Sequence, residues 1–590
     1  MRRDILIGPM RILLAEIADA PRHVGSLLQV AARALDAIGH EPVSLPIPAL
    51  GLPAGEADTA TPDRFVLTPG ALIESWRVAR HLTALTSPGD VVLISDYGGR
   101  GGLFAVEQAM IDPRDRRHVW TLVGSGLAIE ALHTFGVAAA PDPEGESSID
   151  WELAQYRFSE VRLTLAQRAA DLLAKVAPEV DLLHARGTMP VNQPSVGVDG
   201  GLVVIPEVPS RGAGTAAVMR GVTQAMSLND RVHVAVESGS TEDVVWSGST
   251  WETVAGLEIM GDRIDRTSTG GLAPAMVVMG NPFALPPESV KRWYDAGVRV
   301  LVPRGSVAGN LMPSASTWSD ESDIARFISG EAQPPSTIIA STFESLVPPE
   351  PLFNGGRARR VSVGIPIHRD VRFLEECVAS VLSQTQRPHE LVLYDDGSQD
   401  PTVTAKLDDL ATRHSTSILV RSGPNRGVCV ARNAMISSMT GDAFALVDSD
   451  DILHPEFIEA CAEGLRANPG LDAVATWTDF FGGYEGIEAK PPFSVRTGMR
   501  ENTIVSTAAV VDMSVRERGI AFAPDLAFLY CEDWHYWSQI IGAGGRLGLV
   551  PRALVRHRVH ATSGATRRTD FAHTIGRLRA TEPLWGRSDE

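Results

Sequence analysis

The stretch Phe444-Ala-Leu-Val-Asp-Ser-Asp-Asp451 decides the reading of this chain. Four apolar residues read as a buried strand, and the strand delivers Asp448, Asp450 and Asp451 within four positions. Like charges this close repel unless something positive answers them. A divalent cation with oxygen ligands does so, and Mg²⁺ characteristically pairs one or two carboxylates with substrate phosphates. Asp-x-Asp is a short pattern that recurs by chance. Its place at the end of an apolar strand gives it weight, because ligands of open parallel sheets bind outside the carboxyl ends of the strands. A solvated acidic turn is the competing reading.

Upstream, Val361-Ser-Val-Gly-Ile-Pro-Ile-His368 is β-rich and ends in polar residues, and a helical segment follows over about 372–384. Leu391-Val-Leu-Tyr-Asp-Asp-Gly-Ser398 is a second strand running straight into two acids and a turn. His368, Asp395 and Asp396 would project at the strand ends, although either acid could equally cap a helix. In Asn425-Arg-Gly-Val-Cys-Val-Ala-Arg-Asn433, Gly427 permits a tight turn before a helix start. Arg432 could face a phosphate or pair with a carboxylate.

Downstream, Cys531-Glu532-Asp533-Trp534 sets two acids beside Tyr530, Trp534, Tyr536 and Trp537. A carboxylate against aromatic surface suits a general base, and aromatic faces suit sugar rings. Acids favoured by a helix N-terminus are the plainer alternative. In Arg556-His-Arg-Val-His560, His557 or His560 could complete a metal site, and the arginines could hold diphosphate.

The order of these segments is more specific than any one of them. Residues 361–567, about a third of the chain, resemble the family-2 inverting glycosyltransferases of the GT-A fold. VSVGIPIHRD, LVLYDDGSQD, NRGVCVARNA, ALVDSDD, CEDW and RVHATSGATR carry the resemblance. It implies that Pro366, His368 and Asp396 contact the nucleotide base. Asp395, Arg432, Asp448 and Ser449 join the nucleotide-sugar site. Asp448, Asp450 and His560 would hold Mg²⁺ or Mn²⁺. Asp533 would be the catalytic base, with Glu532 the alternative. Many relatives carry Thr-x-Tyr-Asn where this chain has Pro366-Ile-His-Arg369.

The first 330 residues alternate short apolar runs with helical patterns, the signature of parallel sheets covered by helices. Strand signals fall at Arg11–Ile17, Asp90–Ser95 and His118–Val123, with helical patterns at His23–Ile38, Phe104–Met110 and Leu127–Thr134. The pattern restarts near Gly201, with strands at Leu202–Pro206, Val232–Glu237, Ala275–Met279 and Val298–Pro303 and helices at Thr215–Met226 and Pro287–Ala296. The expected organisation is α/β throughout. A Rossmann-like lobe spans 1–200 and a second spans 201–330. A Pro/Gly-rich linker covers 331–360, and a GT-A-like nucleotide-diphospho-sugar transferase domain covers 361–590. Two such lobes in tandem resemble the GT-B architecture. The Pro206-Glu-Val-Pro-Ser-Arg-Gly212 stretch and Glu288 sit roughly where such enzymes contact a donor. The run Gly98-Gly-Arg-Gly-Gly102 could line a phosphate or acceptor cleft, or be a simple loop.

Composition narrows the function. The net charge of −19 argues against general nucleic-acid binding. No apolar run reaches the roughly 18–20 residues needed to span a bilayer, and the N-terminal ten residues lack a secretory pattern. Four widely spaced cysteines form no CxxC pair, so reduced thiols are expected. The chain therefore reads as a cytoplasmic, metal-dependent inverting hexosyltransferase, with peripheral contact at the inner membrane face left open. Its expected donor is a UDP-sugar and its acceptor a glycan, glycolipid or cell-surface polymer. A non-catalytic sugar- or nucleotide-binding protein and a nucleotidyltransferase are the competing classes.

Overall fold

A computed structural model describes residues 10–48, 70–124, 143–164 and 288–329, apart from isolated positions. It also describes short pieces between 126 and 279, and residues 359–560 apart from 499, 505–506 and 525–530. The Pro206–Gly212 stretch and nearly all of the expected linker lie outside these residues, as does most of the helical pattern at Leu127–Thr134.

Three sheets are built. The first is wholly parallel, in the order β2-β1-β3-β4-β5-β6. Its strands are β1 Arg11–Ile17, β2 Glu41–Ile47, β3 Val91–Ser95, β4 His118–Val123, β5 Val161–Thr164 and β6 Leu183–His184. Strands β3 and β4 read as continuous apolar runs because helices bury both faces of such a sheet. The second sheet comprises β7 Leu202–Ile205, β8 His233–Glu237, β9 Ile264–Thr267, β10 Met276–Val278, β11 Arg299–Pro303 and β12 Ser316–Trp318. Its order, β12-β11-β10-β7-β8-β9, is also all parallel. Counted from its own first strand, that is the doubly wound 3-2-1-4-5-6 order.

The glycine run after β3 has a packing explanation. Gly98 and Gly99 adopt φ of +64° and +65°, a region open to glycine at no steric cost. A Cβ on Gly99 would lie 2.6 Å from Trp151 Cβ, and one on Gly102 would lie 2.4 Å from the Trp151 carbonyl oxygen. A Cβ on Gly101 would lie 2.7 Å from the Gln155 amide. The helix Pro143–Phe158 thus presses directly on this backbone.

The third sheet is mixed. Its strands are β13 Val361–Ile367, β14 Glu390–Asp396, β15 Ile418–Gly423, β16 Ala443–Leu446, β17 Ile452–Leu453, β18 Ala473–Gly482, β19 Gly486–Glu488, β20 Ala509–Asp512 and β21 Leu547–Val559. The order is β15-β14-β13-β16-β20-β18-β21-β17, with β19 on β18. Strands β13 to β16 are parallel neighbours, so their carboxyl ends share one edge. Strand β20 enters antiparallel, and β21 runs parallel to β18 and antiparallel to β17. The core is aliphatic on the strands and aromatic on the helix Glu532–Gly542, where Trp534, Tyr536 and Trp537 are buried. Among the described residues no helix is long and apolar enough to cross a membrane.

The chain clusters into two compact units. One holds the first two sheets. The other joins Leu52–Gly89 and Leu103–Arg117 to Pro349–Glu590, so helical pieces from early in the chain cluster with the third sheet. Within this second unit Arg466 bonds Asp112 at 2.7 Å, and the Asn468 amide donates to the Ala109 carbonyl. Met110 fits against Gly464, where a Cβ would approach its sulfur to 3.0 Å.

Hydrogen bonds from the Arg114 side chain and backbone, then from Arg466, hold the Asp112 carboxyl below the usual carboxylate range. A depressed carboxylate pKa adds stability above the unfolded value and loses it as pH falls through the folded one. Asp112→Asn is therefore expected to lower thermal stability at pH 7 by on the order of 1 kcal/mol. The deficit should shrink below about pH 4. Thermal melts of both proteins between pH 3 and 7 check this; a deficit that does not change with pH would show that ionisation of Asp112 is not its source.

Candidate active site

The candidate residues gather at the shared carboxyl edge of β13, β14 and β16. Strand β13 ends at Ile367 and presents His368. Its Nδ1 donates to the Asp396 carbonyl oxygen at 3.1 Å, and the Asn425 amide lies 3.4 Å from Nε2. Asp396 is buried, and its two carboxylate oxygens accept the backbone N–H groups of Arg426 (3.0 Å) and Gly427 (2.9 Å). Gly427 has a φ of +90° and opens the helix Val428–Ser438. Asp396 therefore shapes the turn that launches this helix. Asp395 accepts from Ser398 N at 3.0 Å. Pro366 stands opposite Tyr394 in the register and is half-buried.

Of the two readings open for Arg432, pairing with carboxylates is what the structure contains. Its side chain is 4% exposed and bridges Asp448 Oδ1 (2.8 Å) and Glu532 Oε1 (2.9 Å). Burial alone would favour loss of its proton. The charges of Asp448 and Glu532 outweigh that, and the net shift is upward. The next residue, Asn433, exchanges two bonds with the Phe522 backbone, at 2.8 and 3.0 Å. Phe522 in turn stacks on Tyr536 with centroids 4.2 Å apart and lies 5.3 Å from the Arg432 guanidinium. One helix turn thus ties the acidic strand end to the helix carrying Glu532 and Asp533.

Each carboxylate after β16 has its own cationic or ionisable partner. Asp448 has Arg432. Asp450 Oδ2 meets His560 Nε2 at 2.9 Å, with both side chains partly exposed. Asp451 is fully buried and meets His557 Nδ1 at 3.0 Å. Burial would lower the His557 pKa, but the bond to Asp451 and the charges of Asp451, Asp448 and Asp450 lift it to about 9. His557 lies within β21 and His560 one residue past its end, and each finds a different acid. Ser449 is half-buried between these acids.

The two acids of the Glu532–Gly542 helix have different surroundings. Glu532 Oε1 is bound to Arg432, and Oε2 has no hydrogen-bond partner among the described residues. Asp533 Oδ2 accepts from Asn502 Nδ2 at 3.0 Å, and Oδ1 accepts from Trp534 N at 2.8 Å. The sequence does not single out Asn433 or Asn502, gives Asp451 no partner, and offers His557 as a metal ligand where the structure pairs it with Asp451. Asp451 was visible as the third acid of its triplet. Asn502 lies in a loop and carried no periodic signal. A separate cleft of about 720 Å³ in the same unit is lined in part by Trp76, Arg80, Trp477, Asp479 and Arg556.

Removing Arg432 would leave the partly exposed Asp448 and Glu532 carboxylates without their cation, a loss on the order of 1–3 kcal/mol. Arg432→Met is expected to lower the urea midpoint accordingly. Arg432→Lys should recover only part of the loss, since one ammonium lacks the planar fork that reaches both acids. A midpoint within experimental error of wild type for Arg432→Met would refute the bridge.

Residues 362–520 match the family model described as glycosyl transferase family 2. An uncharacterised glycosyltransferase of Haemophilus influenzae is 25% identical over 225 residues, covering 34% of this chain and 65% of that protein. A hyaluronan synthase of Pasteurella multocida is 31% identical over 120 residues, covering 20% of this chain and 12% of that protein. The chain thus spans less than two thirds of the length of either relative. Among solved structures, S. aureus TarS 1-349 in complex with UDP-GlcNAc aligns with a TM-score of 0.32 and 17% identity, covering 38% of this chain and 67% of that one.

Proposed function

The C-terminal region is a family 2 glycosyltransferase domain, and from that premise we propose a metal-dependent, inverting transfer of a sugar from a nucleoside-diphosphate donor. A UDP-sugar is the expected donor, and the hydroxyl of a glycan, glycolipid or cell-surface polymer the expected acceptor. The observation that carries this reading is the meeting of four separated segments at one sheet edge. These are Asp448 and Asp450 after β16, Arg432, the Glu532–Asp533 helix start, and His560 after β21.

The donor groups fit a hard or borderline divalent ion. Asp450 Oδ2 and His560 Nε2 supply an oxygen and a nitrogen 2.9 Å apart, a pair suited to Mg²⁺ or Mn²⁺. Among the described residues no three His, Cys, Asp or Glu form a complete cage. Asp450 and His560 would hold the ion, with Asp448 beside them. Its chemistry there would be to neutralise charge on the departing diphosphate.

The remaining work falls to the chain's own side chains. Asn502 and the Trp534 backbone orient the Asp533 carboxylate. As the acceptor oxygen bonds to the anomeric carbon, Asp533 takes the hydroxyl proton. The bond from that carbon to the diphosphate oxygen breaks on the opposite face, and the anomeric centre inverts in one displacement. Glu532, committed to Arg432, holds the bridge. Pro366, His368 and Asp395 are assigned to the edge that receives the nucleotide. Asp396 acts through the turn it shapes, and Ser449 is assigned to the donor site.

Asp533→Asn should reduce kcat by roughly 10²–10⁴ while leaving donor affinity nearly unchanged by calorimetric titration. Full activity in that variant would end the assignment. Asp450→Ala, or chelation of the wild type, should abolish metal-dependent transfer, with Mn²⁺ restoring the chelated wild type only. Released nucleotide should be the diphosphate; pyrophosphate would mark nucleotidyl transfer instead.

A further inference from the structure

Asp450 is gripped twice by the end of β21. His560 reaches its carboxylate, as described above. Two residues earlier, Arg558 Nε donates to the Asp450 carbonyl oxygen at 3.0 Å. The Arg558 backbone N–H also donates to Asp451 Oδ1 at 3.0 Å. The Arg558 side chain is 14% exposed and pairs with Glu376. Its guanidinium lies 4.1 Å from the Phe373 ring centroid and 4.4 Å from that of Phe481. Phe373 also faces His560, with centroids 5.6 Å apart. Arg558 is thus held by two aromatic rings and an acid, while it bonds the main chain of the residue whose carboxylate is proposed to bind metal.

We propose that Arg558 is a positioning residue for Asp450, locking the main chain of the acidic turn so that the Asp450 carboxylate and His560 are presented together. The proposal rests on the reading of Asp450 as a metal-binding residue. A planar guanidinium is needed because it can contact both rings and direct Nε–H at a carbonyl at the same time. A lysine would keep the charge and lose the plane. Phe373 shares in the device by contacting both Arg558 and His560. Partners that orient metal ligands in this way typically influence affinity by roughly 10–100-fold.

The test is Mn²⁺ binding followed by the electron paramagnetic resonance of the free ion, in excess UDP and separately in excess GDP. It compares the full-length wild type, Arg558→Lys, Phe373→Leu and Asp450→Ala, each checked for native melting. The wild type should bind Mn²⁺ in a nucleotide-dependent manner, and Asp450→Ala should lose that binding. Arg558→Lys should weaken it by roughly 10–100-fold, and Phe373→Leu, which leaves β21 untouched, should weaken it in the same direction. Wild-type Mn²⁺ affinity in both Arg558→Lys and Phe373→Leu, with Asp450→Ala defective, would overturn the positioning role and leave the metal reading standing. Wild-type affinity in Asp450→Ala would overturn the metal reading itself, and the positioning role with it.

Discussion

Three carboxylates crowd into four positions at the end of β16, and the surrounding chain is arranged around the need to answer them. Each acid has its own partner: Arg432 from the helix after β15, and His560 and His557 from the end of β21. Desolvated carboxylates are costly unless paired and hydrogen-bonded. This requirement explains why a helix must present an arginine inward at this point. It also explains why the last strand of the sheet must run back beside the turn. The surplus negative field is evident in the raised His557, and in Cys377, whose buried thiol is pushed well upward by burial and by the same three acids.

Much of this was legible in the sequence because it lies in periodic segments. Strands β1 and β4 begin and end at the residues their apolar runs mark, and β13, β14 and β16 match within a residue or two of their patterns. The strand-end acids follow from strand position alone. The partners do not. Nothing local distinguishes Arg432 facing a phosphate from Arg432 between two carboxylates; the choice depends on Glu532, a hundred residues away in the chain. Asp396 shows the same limit. As a residue type at a strand end it suits ligand contact, yet both of its oxygens are engaged by the amides of the next turn but one. His557 and His560 look equivalent in sequence, and only the fold assigns each its acid.

The N-terminal half gave clear strands and uncertain chemistry. The apolar runs mark seven of the twelve strands in the two parallel sheets, and β2, β5, β6, β9 and β12 add to them. The glycine run after β3 could line a phosphate or acceptor cleft or be a simple loop, and its backbone is the bed for Trp151 and Gln155. Glycines placed for close helix approach and glycines placed for a ligand are indistinguishable before the helix is seen. The short helix Gly102–Ala109 and the residues after it show a related limit. They read as part of the first lobe, yet they cluster with the third sheet through Met110 and Asp112.

The pairing of β16's acids with β21 also sets an order of events. Asp450 and His560 are separated by 110 positions in the chain, so a nascent chain completes the acidic turn long before its histidines leave the ribosome. Arg432 alone among the three partners precedes the acidic turn in the chain. Long-range contacts of this kind are slow to form. The acidic turn therefore gains its full set of partners only once β21 has joined the sheet.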